Sequence, residues 1–474
     1  MVSHSAIEDF RTQLRGVLFA QEDAEYDKAR EVWNRLVDRR PRLIVRCAGP
    51  ADVARAVRFA REHQLEVAVR GGGHHFAGYA VCEDGLVIDL SPMKGIRIDP
   101  IKHRAYAQPG LTWADFDHET QAWTLACTGP IVSMTGLPGF TLGGGIGWLH
   151  RKCGLACDNL LSADVVTADG DLLRADADNN PDLLWALRGG GGNFGVVSLL
   201  EYQLHHIGPQ VLAGLAYFSL DQFAALVDFY RDYIAEAPDE LILCLFLRRA
   251  PPHPAIPEDS QGQPVVAVGF CYCGAIAEGE PCAKRLREFR KPLACLIRPI
   301  PYAEWQRSLD PRWGNGFYND WRSHYLNDLT SDCVDIFTQF IERLRSPWSD
   351  VKIFHLGGAV SRIPEEATAF GNRKARFAVV VQARWEHSED TAENLAWACD
   401  LLKSLTPFAT GGVYSNFIAA EEGDRVPSAY GPVNYQRLRE IKTRLDPTNF
   451  FRLNANIPPF TPKGELRGRP LKVE

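Results

Sequence analysis

An α+β protein of two structural units is what the sequence predicts, and three observations carry it. At 474 residues the chain is too long for one ordinary core, and a soft prior of about 150 residues per domain asks for two or three. Glycine-rich tracts crowd the first 206 residues. Between about 207 and 411 the texture changes to alternating apolar strands interleaved with helices, the pattern of an antiparallel sheet flanked by helices. From about 412 the glycine-, asparagine- and proline-marked texture returns.

The elements follow in order. Residues 8 to about 40 read as one or two helices, with Ala24, Tyr26, Ala29, Val32 and Trp33 at helical spacing. PRLIVRCAG is a short strand, ADVARAVRFAREHQ an amphipathic helix and EVAVR a second strand, a unit that implies parallel pairing in a covered sheet. Short strands fill GLVIDLSPMKGIRIDPIKHRAYAQPG. A helix starts at TWADFDHETQ, where Thr112 and Asp115 are spaced as a capping box. SADVVTADGDLLRA is a hairpin turning at Asp169-Gly170. PDLLWALRGGGGNFGVVSLLEYQLH is helix, loop and strand. Beyond it, LILCLFLRR, PVVAVGFCYCG, VKIFHLGGAV and FAVVVQARW are strands. LDQFAALVDFYRDYIAEA and TAENLAWACDLLKSL are helices, and PPHPAIPEDSQGQP is a surface loop.

Bulk properties exclude several classes. A net charge of -7 gives no basic face for general nucleic-acid binding. The N-terminal MVSHSAIEDFRTQLRG lacks the basic-then-apolar pattern of an export signal, and no apolar run approaches the ~18 residues of a membrane span. The expectation is a cytoplasmic protein with no membrane and no nucleic-acid partner. The 12 cysteines form no paired CxxC set and are expected as buried free thiols. No GxSxG, HExxH or GxxxxGK[ST] motif is present, which argues against hydrolase, zinc-protease and P-loop chemistry.

Three glycine tracts carry the chemistry. Arg70, Gly71, Gly72 and Gly73 follow a strand and precede His74 and His75, with Gly78 closing the loop; bare backbone N–H groups there could converge on an anion, or simply make a tight turn. Gly136, Gly139, Gly143, Gly144, Gly145 and Gly147 lie within twelve residues, a conformational cost that a planar ligand against backbone would explain and a packed sheet crossing also would. In RGGGGNFGVV, Gly190, Gly192 and Gly195 match GxGxxG. The match sits between a preceding helix and a following strand, the reverse of the nicotinamide-dinucleotide context. The adjacent histidines could be a metal pair, but no carboxylate or cysteine cluster accompanies them, so no metal is expected.

The stretches RGGGHHFAG, TGLPGFTLGGGIGWLHRKCGLACDNLLSADVVTADG, PDLLWALRGGGGNFGVV and LDPTNFFRLNANIPP occur in this order. Together they resemble the FAD-linked oxidases of the vanillyl-alcohol-oxidase (PCMH) type and, within them, the berberine-bridge-enzyme-like group, in a bacterial subgroup similar to 6-hydroxy-D-nicotine oxidase. The resemblance implies a bipartite FAD-binding domain from about 1–206, with its PCMH-type core at about 38–206, plus a C-terminal return at 412–474. A substrate-binding domain of about 207–411 would lie over the flavin. It implies FAD held by one covalent bond through His74, whose neutral imidazole attacks the electron-poor methyl carbon of the flavin's quinone-methide tautomer, the ring taking up the electron pair, while the loop fixes the cofactor. His75 would point elsewhere. Relatives with a second bond carry a cysteine where this chain has Val132; Cys127 is the out-of-register candidate. The glycines from Gly136 to Gly147, with Asp158 and Asn159, would line the ring and ribityl chain, joined by Gly195, Val196 and Val197. Asn416, Asn454 and Asn456 would complete the cofactor contacts.

The implied reaction takes hydride from a C–H beside oxygen or nitrogen of a small-molecule substrate and passes electrons to dioxygen as hydrogen peroxide. Thr135, before Gly136, occupies the position that tunes oxygen access, and a side chain of its size leaves the path open. The relatives' basic tyrosine falls at Phe417. Tyr414, two residues before Asn416 and on its face if the segment is a strand, is the candidate base or orienting group. His355 is the catalytic candidate from the lid, and Tyr318, Arg322 and Tyr325 are further residues that could face the flavin. The lid's aromatic composition suits a mid-sized alcohol or amine of secondary metabolism. Two rivals stand beside this reading: a flavin dehydrogenase with another acceptor, and a non-redox flavin protein that sequesters a ligand. A monomer and a homodimer are both compatible with the sequence.

Overall fold

The computed structural model describes residues 2–460. The last fourteen residues of the expected C-terminal return lie outside the described residues.

Two sheets form the glycine-rich half. In the first, the strand Val17–Ala20 runs antiparallel to Leu43–Arg46, and Leu86–Asp89 lies parallel between Leu43–Arg46 and Val67–Arg70. The expected strand–helix–strand unit is present, with the helix Pro50–Glu62 as crossover, but its two strands flank a third rather than pairing directly. The second sheet is antiparallel, with Val196–Gln203 between Arg104–Ala107 and Leu160–Val166, and Leu172–Ala175 and Ile96–Asp99 at the edges. The hairpin at Asp169-Gly170 and the Thr112–Asp115 capping box form as the sequence indicates.

The N-terminal reading needs a correction. The helical pattern from Ala24 to Trp33 yields a helix only over Tyr26–Arg30. Tertiary bonds override the rest: the Trp33 indole N–H donates to the Trp313 carbonyl at 2.8 Å, and the Asn34 side-chain amide donates to the carbonyls of Phe76 and Asn319.

The second half is built on an eight-stranded antiparallel sheet, whose strands include Gln210–Ser219, Leu241–Arg249, Pro264–Tyr272, Asp350–His355, Phe377–Trp385 and Tyr318–Leu326. Both faces are buried, so these strands read as nearly continuous apolar runs. One face, with Leu243, Leu245, Val351, Ile353 and Val379, packs under the helices Phe223–Ala235, Ser331–Glu342 and Thr391–Leu405. The other, with Cys244, Phe246, Phe354 and Val380, packs toward the glycine-rich half together with Trp148, Val132 and Tyr414. The twelve cysteines are free; nine are buried, Cys282 and Cys295 are half-buried, and Cys399 is exposed, contrary to the expectation that all are buried. Among the described residues, no helix is long and apolar enough to cross a membrane.

Candidate functional site

A cavity of about 300 Å³ lies where the three glycine tracts meet the open face of the large sheet. Gly71, Gly72 and Gly73, then Thr135, Gly136, Gly139 and Gly143, then Gly195, Val196 and Val197 all line it. The first two tracts touch backbone to backbone: a Cβ on Gly72 would stand 2.5 Å from the Gly136 Cα, and one on Gly136 would stand 2.4 Å from the Gly72 nitrogen. No other residue type permits that approach, so the glycines at these two positions are required by the crossing as well as by any ligand. Gly191, Gly192 and Asn193, a 3-10 turn inside the GxGxxG match, also line the cavity. The helix Pro181–Leu187 precedes this turn and the strand Val196–Gln203 follows it, as the sequence order indicates.

Both histidines line the cavity, with different neighbours. The His74 ring stacks on Trp33, centroids 4.5 Å apart. The His75 ring stacks on Phe76 and leans on Tyr79, and its Nδ1 accepts from the Ala77 amide at 3.2 Å. Burial, reinforced by the Arg384 charge, lowers the His74 pKa to about 3; burial alone lowers that of His75 to about 4. His74 is therefore neutral across the physiological range and keeps a nucleophilic nitrogen.

Tyr414 is not in a strand. It precedes the 3-10 turn Ser415–Phe417, yet its hydroxyl still meets Asn416. Its oxygen accepts from the Gly145 amide at 2.9 Å and from the Asn416 side-chain amide at 3.0 Å. Burial outweighs these donors and holds the phenol up at about 12. A general base works best near the operating pH. With its oxygen already accepting, Tyr414 has its proton left to offer, which favours the orienting role over the basic one. Asn416 packs on Gly143, whose added Cβ would stand 2.0 Å from the amide oxygen. Phe417 also lines the cavity, edge-on to Tyr414.

The C-terminal segment is held by a buried clamp. Lys442 pairs with Asp446 at 2.7 Å and donates to the carbonyls of Asn193 and Phe451, while Asp446 accepts from the amides of Phe450 and Phe451. The clamp presents Asn454 to the cavity. The buried Asn454 Oδ1 has no hydrogen-bond partner among the described residues. Asn456 has the same orphan oxygen but does not line the cavity.

Several expected residues serve elsewhere. His355 does not line the cavity. Side chains alternate along a strand; Lys352 and Phe354 face the cavity, so His355 turns to the other side, against Phe377 and Arg151, where burial and Arg151 push its pKa down to about 2. The same alternation places Trp321 on the cavity and turns Tyr318 and Arg322 away; Tyr325 shares the face of Trp321 but is packed into the core. Arg70 braces the glycine loop, donating to the carbonyls of Ala29 and Ala80. Gly78 makes room for Val37, Gly144 for Phe370, Gly145 for Ala156 and Gly147 for the Gly129 carbonyl. Asp158 forms a buried ion pair with Arg373, and Asn159 bonds the carbonyls of Cys153 and Leu155. Cys127 is buried in the core, away from the cavity, and Val132 lines it.

The sequence reading missed Lys352 and Gln382, which face the cavity from adjacent strands beside Trp313 and Trp321. The signal was there: each interrupts an apolar strand, in VKIFH and VVVQARW.

The family described as FAD binding domain matches residues 41–176, and the one described as Berberine and berberine like matches 413–458. (R)-6-hydroxynicotine oxidase of Paenarthrobacter nicotinovorans is 30% identical over 463 residues, covering 94% of this chain and 97% of its own. The FAD-linked oxidoreductase pgmH of Aspergillus terreus is 37% identical over 478 aligned positions, covering 93% of each chain. The crystal structure of 6-hydroxy-D-nicotine oxidase from Arthrobacter nicotinovorans superposes with a TM-score of 0.82 at 29% identity, over 94% of this chain and 98% of the other. The cavity fits FAD on its own terms: it has bare backbone on several sides, aromatic walls for a flat ring, and in the Asn454 oxygen a buried acceptor that lacks a donor.

Proposed function

Because the chain belongs to the berberine-bridge-enzyme-like family of FAD-linked oxidoreductases, we propose that it is an oxidase of mid-sized, natural-product-like alcohols or amines that holds its FAD by a single bond to His74. The observation that carries this reading is the neutral, half-buried His74 on the edge of a glycine cradle. Bound FAD supplies the hydride acceptor for a C–H beside oxygen or nitrogen, and dioxygen removes the electrons as hydrogen peroxide.

The chain's own residues do the rest. Residues 1–206 and 412 onward form the FAD-binding part and 207–411 the substrate part. Gly72 and Gly136 keep the cradle open to a flat ring, and Asn454 Oδ1 accepts a hydrogen bond that no other described group gives it. Tyr414 donates its proton toward the reacting heteroatom and orients it. Trp313, Trp321 and Phe417 exclude water from the cavity. Val132, in place of a cysteine, supports one covalent bond rather than two, and the small Thr135 leaves access for oxygen.

Reoxidation tests the oxidase reading without a known substrate. The purified protein is bleached under argon with one two-electron equivalent of dithionite per flavin and opened to air. Rapid return of the yellow colour with one peroxide per flavin is expected. A flavin that stays bleached in air and recolours only with an added dye would make the protein a dehydrogenase.

A further inference from the structure

The cavity face of the large sheet carries an unusual charge balance. Lys352 is buried, and its Nζ pairs with Asp350 at 2.6 Å. It sits over the Trp313 ring at 4.5 Å and the Phe246 ring at 5.9 Å. Arg248 stands opposite Asp350 in the strand register, and Arg312 and Arg384 lie close behind. These three guanidinium groups bond to uncharged oxygens: Arg248 to the Arg249 carbonyl, Arg312 to those of Pro347 and Trp348, and Arg384 to Asn319 Oδ1 and the Gly314 carbonyl. The Nε atoms of Arg312 and Arg384 are buried with no acceptor among the described residues.

Lys352, whose pKa is lowered by burial and pulled back up by Asp350, thus shares with the three guanidinium groups Asp350 as the single carboxylate within ion-pair distance of any of them among the described residues, with Glu386 acting on Arg384 from farther away. Burial and Arg312 lower the Arg384 pKa to about 9, which still leaves it charged at neutral pH. Uncompensated buried charge is costly, and in a low-dielectric site its field reaches well beyond contact distance. The excess is poised to be balanced by something that enters the cavity. Lys352 is the cation that lines it, and two of its three N–H groups remain beyond the Asp350 bond. Beside it, the Gln382 side-chain oxygen is buried, lines the cavity and has no partner among the described residues. An acceptor so placed asks the ligand for an O–H or N–H.

We propose that the substrate is an anion: an aromatic compound with a carboxylate or phenolate oxygen that pairs with Lys352 and an adjacent O–H or N–H that donates to Gln382. This deepens the reading of the cavity as the substrate pocket of a flavin oxidase and rests on it. Lys352 and Gln382 select and position the substrate, and the aromatic walls of Trp313 and Trp321 accept its ring.

The test uses the flavin-containing protein and two shape-matched probes that both carry the O–H Gln382 asks for, the naphthoate 3-hydroxy-2-naphthoate and the naphthamide 3-hydroxy-2-naphthamide, with affinity read both by calorimetry and by perturbation of the visible flavin spectrum. The expected result is tighter binding of the anion by about tenfold or more, the size of one charge-assisted bond. Lys352→Met should abolish that preference by weakening the naphthoate far more than the naphthamide, and Lys352→Arg should retain it. Equal or weaker binding of naphthoate by the unaltered protein overturns the proposal, whether or not the variants fold. A preference that survives Lys352→Met also overturns it. If that variant instead makes the flavin harder to reduce while naphthoate still binds, the cations serve the cofactor and not the substrate. Calorimetric anion preference in a protein with no flavin colour would sink the oxidase reading and leave the anion site standing.

Discussion

His74 and His75 are neighbours in the chain and share one cavity, yet only His74 combines a stacked indole with the field of a guanidinium. Tyr414 is the side chain whose role is most open to measurement. Tyr414→Phe removes the oxygen that accepts from the Gly145 amide and the Asn416 side chain, leaving two buried donors unmatched. A loss of about 1–3 kcal/mol in unfolding free energy is expected, together with a fall in kcat. A variant as active and as stable as the parent would show that the hydroxyl neither orients substrate nor anchors the glycine tract. His74, Tyr414 and Asn454 were reached through the family resemblance, which is carried by the glycine and asparagine motifs in which they stand. His355 was misplaced and Lys352 passed over for one reason. In a strand buried on both faces, hydrophobic alternation is absent, so nothing in VKIFH says which of Lys352 and His355 meets the ligand.

Loops, more than strands, build the site. The crossing of the first two glycine tracts is its tightest point, and Gly72→Ala drives a methyl to 2.5 Å from the Gly136 Cα. Backbone cannot yield as a side-chain end would. We expect destabilisation of at least about 1–3 kcal/mol from the overpacking and a sharp drop in flavin per polypeptide, read as the ratio of visible to ultraviolet absorbance. Full flavin content in this variant would show that the tracts can part without harm to the cradle. Most strands and long helices were legible in the sequence, since apolar run length and amphipathic period survive tertiary packing. The segment from Ala24 to Trp33 was not. Its period is helical, but Trp33 is drawn out to stack on His74 and to bond Trp313, and those contacts lie 41 and 280 positions away in the chain. The insertion of Leu86–Asp89 between the two strands of the crossover unit is likewise a pairing choice that no local pattern encodes.

The two halves meet through buried polar bonds as well as apolar surface: Asp158 with Arg373, Asn34 with Asn319, and Ser133 with Asp310. Buried titratable groups away from the cavity set the response to acid. Burial lowers His150 and His324 to about 4, and burial with Arg151 lowers His355 to about 2, all from an ordinary 6.5. The unfolded chain takes up protons at these histidines near pH 6.5 while the fold refuses them. Their contribution is complete above 6.5 and is lost as the pH falls toward the folded values, at about 2 kcal/mol for each by pH 5. Asp117, held up at about 7 by burial, works in the opposite direction and offsets part of the loss. Urea denaturation should therefore give a lower unfolding free energy at pH 5 than at pH 7; equal or greater stability at pH 5 would contradict the burial of these imidazoles.

The attachment of the flavin is the most direct test. The purified protein is precipitated with acid and the yellow colour followed, beside a His74→Ala variant. Colour that stays in the pellet of the parent and is released by the variant is the predicted result. Colour released to the supernatant from the parent would leave FAD in the cradle but contradict the bond to His74, and a protein that neither carries nor takes up FAD would contradict the account of the cavity itself.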